Sequence, residues 1–133
     1  MKRSLLFLSI VFLVACKKNN DVDSLVGKWR LTEIYNGYAM GGCFCWIQVG
    51  PDVADHLEFS SLGRYKLTKS LLSSSTGCSG RYRVVNDTTI VLTYDCQADP
   101  DKEYNRKFTK TIYELTIDYQ TIEGVIRYRY VRI

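Results

Sequence analysis

The chain has 133 residues, 46% of them hydrophobic, 13% aromatic and 24% charged, with 18 basic side chains against 14 acidic ones and a single histidine. That length suits one domain with one core and leaves no room for a second. A net charge of +4 with no clustering of basic residues excludes a nucleic-acid footprint, and one histidine leaves little for triad or zinc chemistry.

Residues 1–15 read as a targeting segment. Lys2 and Arg3 precede Leu5–Ala15, an apolar run of 11 residues, well short of the ~20 that a membrane-spanning helix needs. The run closes on Leu13-Val14-Ala15-Cys16, which resembles the lipobox of bacterial lipoproteins, where the chain is cut before the cysteine and its sulfur is diacylated. The resemblance implies a removed signal over residues 1–15, a lipid-bearing Cys16 that anchors the protein, a polar tether over 16–24 and a folded domain over 25–133. Without Lys2 and Arg3 the net charge falls from +4 to +2. Lys17 after the cysteine points to the outer membrane, facing either the periplasm or the cell surface.

From Gly27 the pattern has period two, which marks half-buried strands. Trp29 and Leu31 share a face, and the alternation slips at Glu33 and Ile34, as at a β-bulge. Asn36-Gly37 and Gly41-Gly42 break the chain before Cys43–Val49. His56–Ser60 and Arg64–Lys69 flank Ser61-Leu62-Gly63 as a hairpin with Leu57 and Phe59 facing Tyr65 and Leu67. Residues 71–80, rich in serine and glycine, read as a loop. Arg81–Val85 and Thr89–Asp95 form a second hairpin around Asn86-Asp87-Thr88. Residues 97–106 read as a polar excursion in which Asp99, Asp101 and Glu103 alternate. These would need more oxygen ligands and a turn glycine to hold calcium, so a solvated acidic loop is expected. Phe108–Asp118 reads as a strand with Tyr113, Leu115 and Ile117 on one face, and Thr121–Glu123 and Val125–Arg132 follow around a bend at Gly124.

An even set of cysteines past Cys16, namely Cys43, Cys45, Cys78 and Cys96, favours disulfides in an exported domain, whereas Cys-x-Cys is not zinc spacing. A three-residue turn after Val85 would set Val85 opposite Thr89 and Cys78 opposite Cys96, within disulfide reach. That pairing leaves Cys43 and Cys45 bridged to each other or free. Joining Cys43 and Cys45 to Cys78 and Cys96 in either order strands no pair, and both arrangements remain open.

Seven or eight short strands joined by turns predict an all-β, antiparallel up-and-down barrel of about eight strands. Arg81, Arg83, Arg127 and Arg129 alternate with Tyr82, Tyr128 and Tyr130, so the outer face belongs in water and not in lipid. Leu25-Val26-Gly27-Lys28-Trp29-Arg30-Leu31 after a lipobox, followed by Leu57-Glu58-Phe59, Gly63-Arg64-Tyr65, Gly80-Arg81-Tyr82-Arg83-Val84 and Tyr128–Ile133, resembles the lipocalin-like lipoproteins of Bacteroidetes-type bacteria. The resemblance implies a lipocalin-like barrel whose closed end is formed by Gly27, by Trp29 and by a late basic residue among Arg127, Arg129 and Arg132, for which Arg129 is the choice. A ligand or partner is then expected at the opposite, open end.

No catalytic motif, phosphate loop, metal cluster or cofactor signature emerges, so the protein is not expected to be an enzyme. Two functions suit the chain. The resemblance implies a small, mainly apolar ligand held by interior aromatics, the ligand-binding residues being unassigned. The alternative is a lipid-anchored interaction or inhibitor module using the Cys43–Trp46 segment, favoured if Phe44 or Trp46 is exposed, or the 97–106 loop. Asp23-Ser24-Leu25 and Asp87-Thr88-Thr89 match a loose O-glycosylation pattern of the same bacteria.

Overall fold

Alternating apolar and polar residues become nine strands in the computed structural model of the chain, which describes residues 25–39, 41–69 and 77–133. They are β1 (Gly27–Tyr38), β2 (Cys45–Gln48), β3 (His56–Phe59), β4 (Arg64–Thr68), β5 (Cys78–Asn86), β6 (Thr89–Leu92), β7 (Tyr104–Lys110), β8 (Glu114–Thr121) and β9 (Gly124–Arg132). Neighbours pair antiparallel and β9 returns to β1, so eight strands close an up-and-down barrel. The ninth, β2, shares a stave with β3. Residues 27–30 of β1 pair with β3 and residues 33–36 pair with β2, and a 3-10 turn at Pro51–Val53 lies between the two short strands.

Two bulges set the registers. Between Leu31 and Glu33 the β1–β9 ladder skips Thr32, whose Oγ1 donates to the Arg129 carbonyl at 3.2 Å. The extra residue keeps Leu31 and Ile34 both inside and turns Glu33 outward, which is the slip visible in the sequence. In the β5–β6 hairpin the turn has two residues, Asp87 and Thr88, and Asn86, not Val85, faces Thr89. The side chain of Asn86 accepts from Thr88 N at 3.0 Å and so shapes the turn. A bulge at Val85 then restores the register that a three-residue turn would produce, with Val84 opposite Ile90 and Tyr82 opposite Leu92.

Four boundaries differ from the sequence reading. Cys78–Gly80 belongs to β5, and residues 71–76 of the expected loop lie outside the described residues. Tyr104–Arg106 is strand, not loop. Phe108–Asp118 is broken by a turn over residues 111–113, where Thr111 Oγ1 accepts from Glu114 N at 2.9 Å, and Tyr113 is exposed instead of sharing a face with Leu115 and Ile117. Thr121–Glu123 is not a strand of its own: Thr121 ends β8, and Ile122 and Glu123 form the turn into β9. The last two turns carry Ile112, Tyr113 and Ile122 in water and lack the Gly or Pro that betrays a turn.

Strand direction alternates, so the β3–β4, β5–β6 and β7–β8 turns gather at one end with the start of β1 and the finish of β9. The half nearer this end is filled by its own side chains. Leu25, Trp29, Phe59, Ile90, Phe108, Leu115 and Ile117 are each less than 2% exposed. The finishes of β1, β4, β6 and β8 and the starts of β5, β7 and β9 mark the other, open end.

Candidate functional site

The closed end is a plug built on Trp29. Its ring is fully buried, and Nε1 donates to the Leu25 carbonyl at 2.8 Å, so the one polar atom is satisfied inside the core. The basic residue on the ring is Arg132, whose Cζ lies 4.3 Å from the ring centre, and not Arg129. Alternation explains the difference: Tyr130 points inward, so Arg132 does too, opposite Trp29, whereas Arg129 points outward. There Arg129 covers Trp46 at 4.0 Å and pairs with Glu33. Arg132 also donates from Nη1 to Val26 O and from Nε to Ile112 O, each at 3.0 Å, tying the start of the domain to its end. Gly27 has φ +135°, which a side chain rarely adopts, and a Cβ there would sit 3.1 Å from Arg132 Nη1.

The cysteines pair locally, Cys43 with Cys45 and Cys78 with Cys96. The first bridge lies in the β1–β2 connection and holds Phe44 at φ 50° with its ring 60% exposed; Trp46 is half-buried on the outer wall. The second ties the start of β5 to the β6–β7 loop. That loop folds back on the outer wall through Arg64–Asp95, Arg81–Asp101 and Arg83–Glu103 ion pairs at 2.7, 2.6 and 2.7 Å. The alternating carboxylates of the loop thus answer the alternating arginines of β5, and Asp99 accepts from the backbone of Asp101. Among the described residues no three His, Cys, Asp or Glu side chains converge as a metal site. Cys16 and the Asp23-Ser24 glycosylation match lie outside the described residues, and Thr88 is exposed in its turn.

The open half of the interior differs in chemistry from the plug. Around the inner wall runs a belt of rings, Tyr65–Tyr94 at 6.1 Å, Tyr94–Tyr104 at 5.2 Å and Tyr119–Tyr128 at 5.0 Å between centroids. Tyr65 packs over Gly80, where a Cβ would come within 2.8 Å of the ring and 1.8 Å of the Thr93 carbonyl, and its hydroxyl donates to that carbonyl at 2.8 Å. Arg106 closes the gap between Tyr104 and Tyr119, its Cζ 5.2 Å from the first ring centre and 4.9 Å from the second. Opposite Ile90 in the β6–β7 ladder and two residues from buried Phe108, it belongs to the inward row. The sequence reading left Arg106 in the acidic loop. The signal for it was the period-two run Tyr104, Arg106, Phe108.

Among the described residues, buried Arg106 Nε has no hydrogen-bond partner, and the buried Tyr94 hydroxyl, although beside Tyr119, makes no well-aligned bond. No carboxylate pairs with Arg106 among the described residues. Lys69 and Asp55, also part-buried, neutralise each other at 2.8 Å near Tyr128. Burial pushes the hydroxyls of Tyr65, Tyr119, Tyr128 and Tyr130 above the usual tyrosine range, outweighing the pull of Arg106 on the first two, so all four are neutral at physiological pH.

The wall is split beside Arg106. The β7–β8 ladder runs from Lys110–Leu115 to Lys107–Asp118 and stops there, leaving Tyr104–Arg106 and Tyr119–Thr121 without partners in each other. A cavity of about 420 Å³ lies over this split, lined by Arg106 with Asn105, Lys107, Asp118, Gln120 and Arg127 among others. Arg106 alone of these six belongs to the inward row. Arg127 in turn pairs with Asp118 at 3.3 Å.

Comparison with solved structures finds the same architecture in a lipocalin-like protein from Bacteroides uniformis ATCC 8492, with a TM-score of 0.57 and 18% identity, covering 83% of this chain and 99% of that one. An uncharacterized protein from Bacteroides eggerthii DSM 20697 gives a TM-score of 0.56 at 19% identity, covering 82% of this chain and 99% of that one. No protein-family model and no curated protein matches the sequence. Identities this low establish shared fold alone: the domain is a lipocalin-like eight-stranded barrel.

Proposed function

We propose that the protein is an outer-membrane-tethered, non-catalytic barrel that binds a small, mainly apolar ligand in its tyrosine-lined half. The observation that carries the reading is the contrast between the two halves of the interior. One is filled by apolar side chains, whereas the other is rimmed by rings, holds two buried polar atoms without partners among the described residues and borders, at Arg106, a polar-lined cavity of about 420 Å³ on the outer wall. Interiors rarely keep such polar atoms unsatisfied, and inward rings with a few such polar groups among them make the kind of lining that suits a small ligand. The anchor is acylated Cys16. Because Leu25 enters at the closed end, the nine residues of the tether, reaching at most about 30 Å, hold that end toward the membrane and leave the open end clear. Residues 17–133 contain every described residue. Titrating that chain with a neutral lipophilic fluorescent probe is expected to show saturable one-to-one binding; fluorescence that rises only in proportion to added probe would remove the ligand reading.

A second reading has an observation of its own. Phe44, pinned by its flanking disulfide and 60% exposed at the open end, has the form of an interface anchor for a protein partner. Capture of a periplasmic or surface protein that is lost on Phe44→Ala, with probe binding intact, would favour it.

A further inference from the structure

We propose that Arg106 is the anchor for an anionic head group, so that the ligand is an amphiphile with a carboxylate or phosphate at one end and an apolar tail against the tyrosine belt. The proposal rests on the ligand-binding reading above and adds the chemistry of the ligand. A guanidinium set inside a barrel is costly to desolvate, and interior arginines are normally matched by a carboxylate of their own chain. Arg106 is matched by two ring faces and no acid among the described residues. A ring offers a guanidinium no carboxylate oxygen to bond, so the N–H donors of Arg106 still suit a planar or tetrahedral oxyanion. The place is reachable, because Arg106 lines the cavity over the point where the β7–β8 ladder stops. Two tyrosine hydroxyls stand nearby as donors to the same oxyanion, that of Tyr119 and, beside it, that of Tyr94. Lys69, by contrast, is already paired with Asp55, and Arg127 with Asp118, so neither competes for the head group.

The test titrates residues 17–133 with dodecanoate, its methyl ester and dodecyl phosphate, for the native sequence and for Arg106→Met and Arg106→Lys, with thermal melting of each ligand-free variant. Both anions are expected to bind at least tenfold more tightly than the ester. Arg106→Met is expected to erase that difference while keeping the affinity for the ester, and Arg106→Lys to retain part of it. Tighter binding of dodecanoate assigns a fatty-acid type of ligand, and tighter binding of dodecyl phosphate a phospholipid type. Ligand-free Arg106→Met should melt no lower than the native protein. Equal binding of acid and ester by the native protein, or an undiminished preference in Arg106→Met, overturns the anionic anchor while leaving a ligand-binding barrel in place. A lower melting point in Arg106→Met together with lost binding of all three compounds makes Arg106 a structural residue and overturns the proposal. Binding of none of the compounds by the native protein removes the ligand reading, and the head-group assignment with it.

Discussion

Trp29 and Gly80 show how single positions hold this barrel. Trp29 fills the closed end with a ring satisfied at Nε1 and capped by Arg132, so truncation leaves a cavity, an orphaned Leu25 carbonyl and a guanidinium without its ring. Trp29→Ala is expected to lower stability by about 3–5 kcal/mol in urea unfolding, and an unchanged midpoint would remove the plug assignment. Gly80 carries no side chain because the Thr93 carbonyl and Tyr65 ring occupy the place of a Cβ. Gly80→Ala must push β5 away from both, breaking the Tyr65–Thr93 bond, at a cost of about 1–3 kcal/mol by the same measurement. Most of the residue scale was legible from alternation: Tyr82 and Tyr130 inward, Arg81, Arg83, Arg127 and Arg129 outward. Arg106 was not, because a charged side chain next to a run of acids looks like loop whichever way its Cβ points.

At the scale of elements, the two disulfides do different work. Cys78–Cys96 has a sequence separation of 18 and constrains the unfolded chain accordingly, whereas Cys43–Cys45, with a separation of 2, mainly fixes the local shape around Phe44. Loop-closure entropy therefore predicts a loss of about 3 kcal/mol for the double variant Cys78→Ser/Cys96→Ser and about half as much for Cys43→Ser/Cys45→Ser, measured by chemical unfolding of each. Equal losses would mean that loop closure is not the source. The opposition of Cys78 and Cys96 was foreseen from a three-residue turn, and it holds through a two-residue turn and a compensating bulge at Val85. A sequence carries no mark of which residue will bulge, since the choice depends on how both ladder partners pack. The acidic loop is a similar case. Its carboxylates pair with arginines 20 to 31 residues away, a match that strand order creates. Because of this pairing, the Arg83 hydrogen bond holds the Glu103 carboxyl below the usual carboxylate range.

For the molecule as a whole, the interior tyrosines link the fold to pH. Burial raises Tyr65, Tyr119, Tyr128 and Tyr130 in the folded state, so the unfolded chain releases these protons first. Their contribution to stability is complete below the unfolded tyrosine pKa of about 10 and is lost as pH rises above it. An alkaline titration is expected to show these four ionising only as the near-ultraviolet circular dichroism collapses. Smooth ionisation of all ten with the fold intact would contradict a dry inner belt.

The sequence by itself determined the class of fold, the inner and outer faces of most strands and the identity of the plug residue Trp29. These follow from period-two alternation and from turn chemistry, which are local properties of the chain. Tertiary structure decided which arginine caps Trp29, how Cys43 and Cys45 are used, what the acidic loop pairs with and that Arg106 lies inside beside a split in the wall. Each of these depends on register across strands that are distant in sequence, on bulges at Thr32 and Val85, and on where the β7–β8 ladder ends. Backbone hydrogen bonding around a closed barrel settles such features collectively, and no stretch of residues encodes them alone.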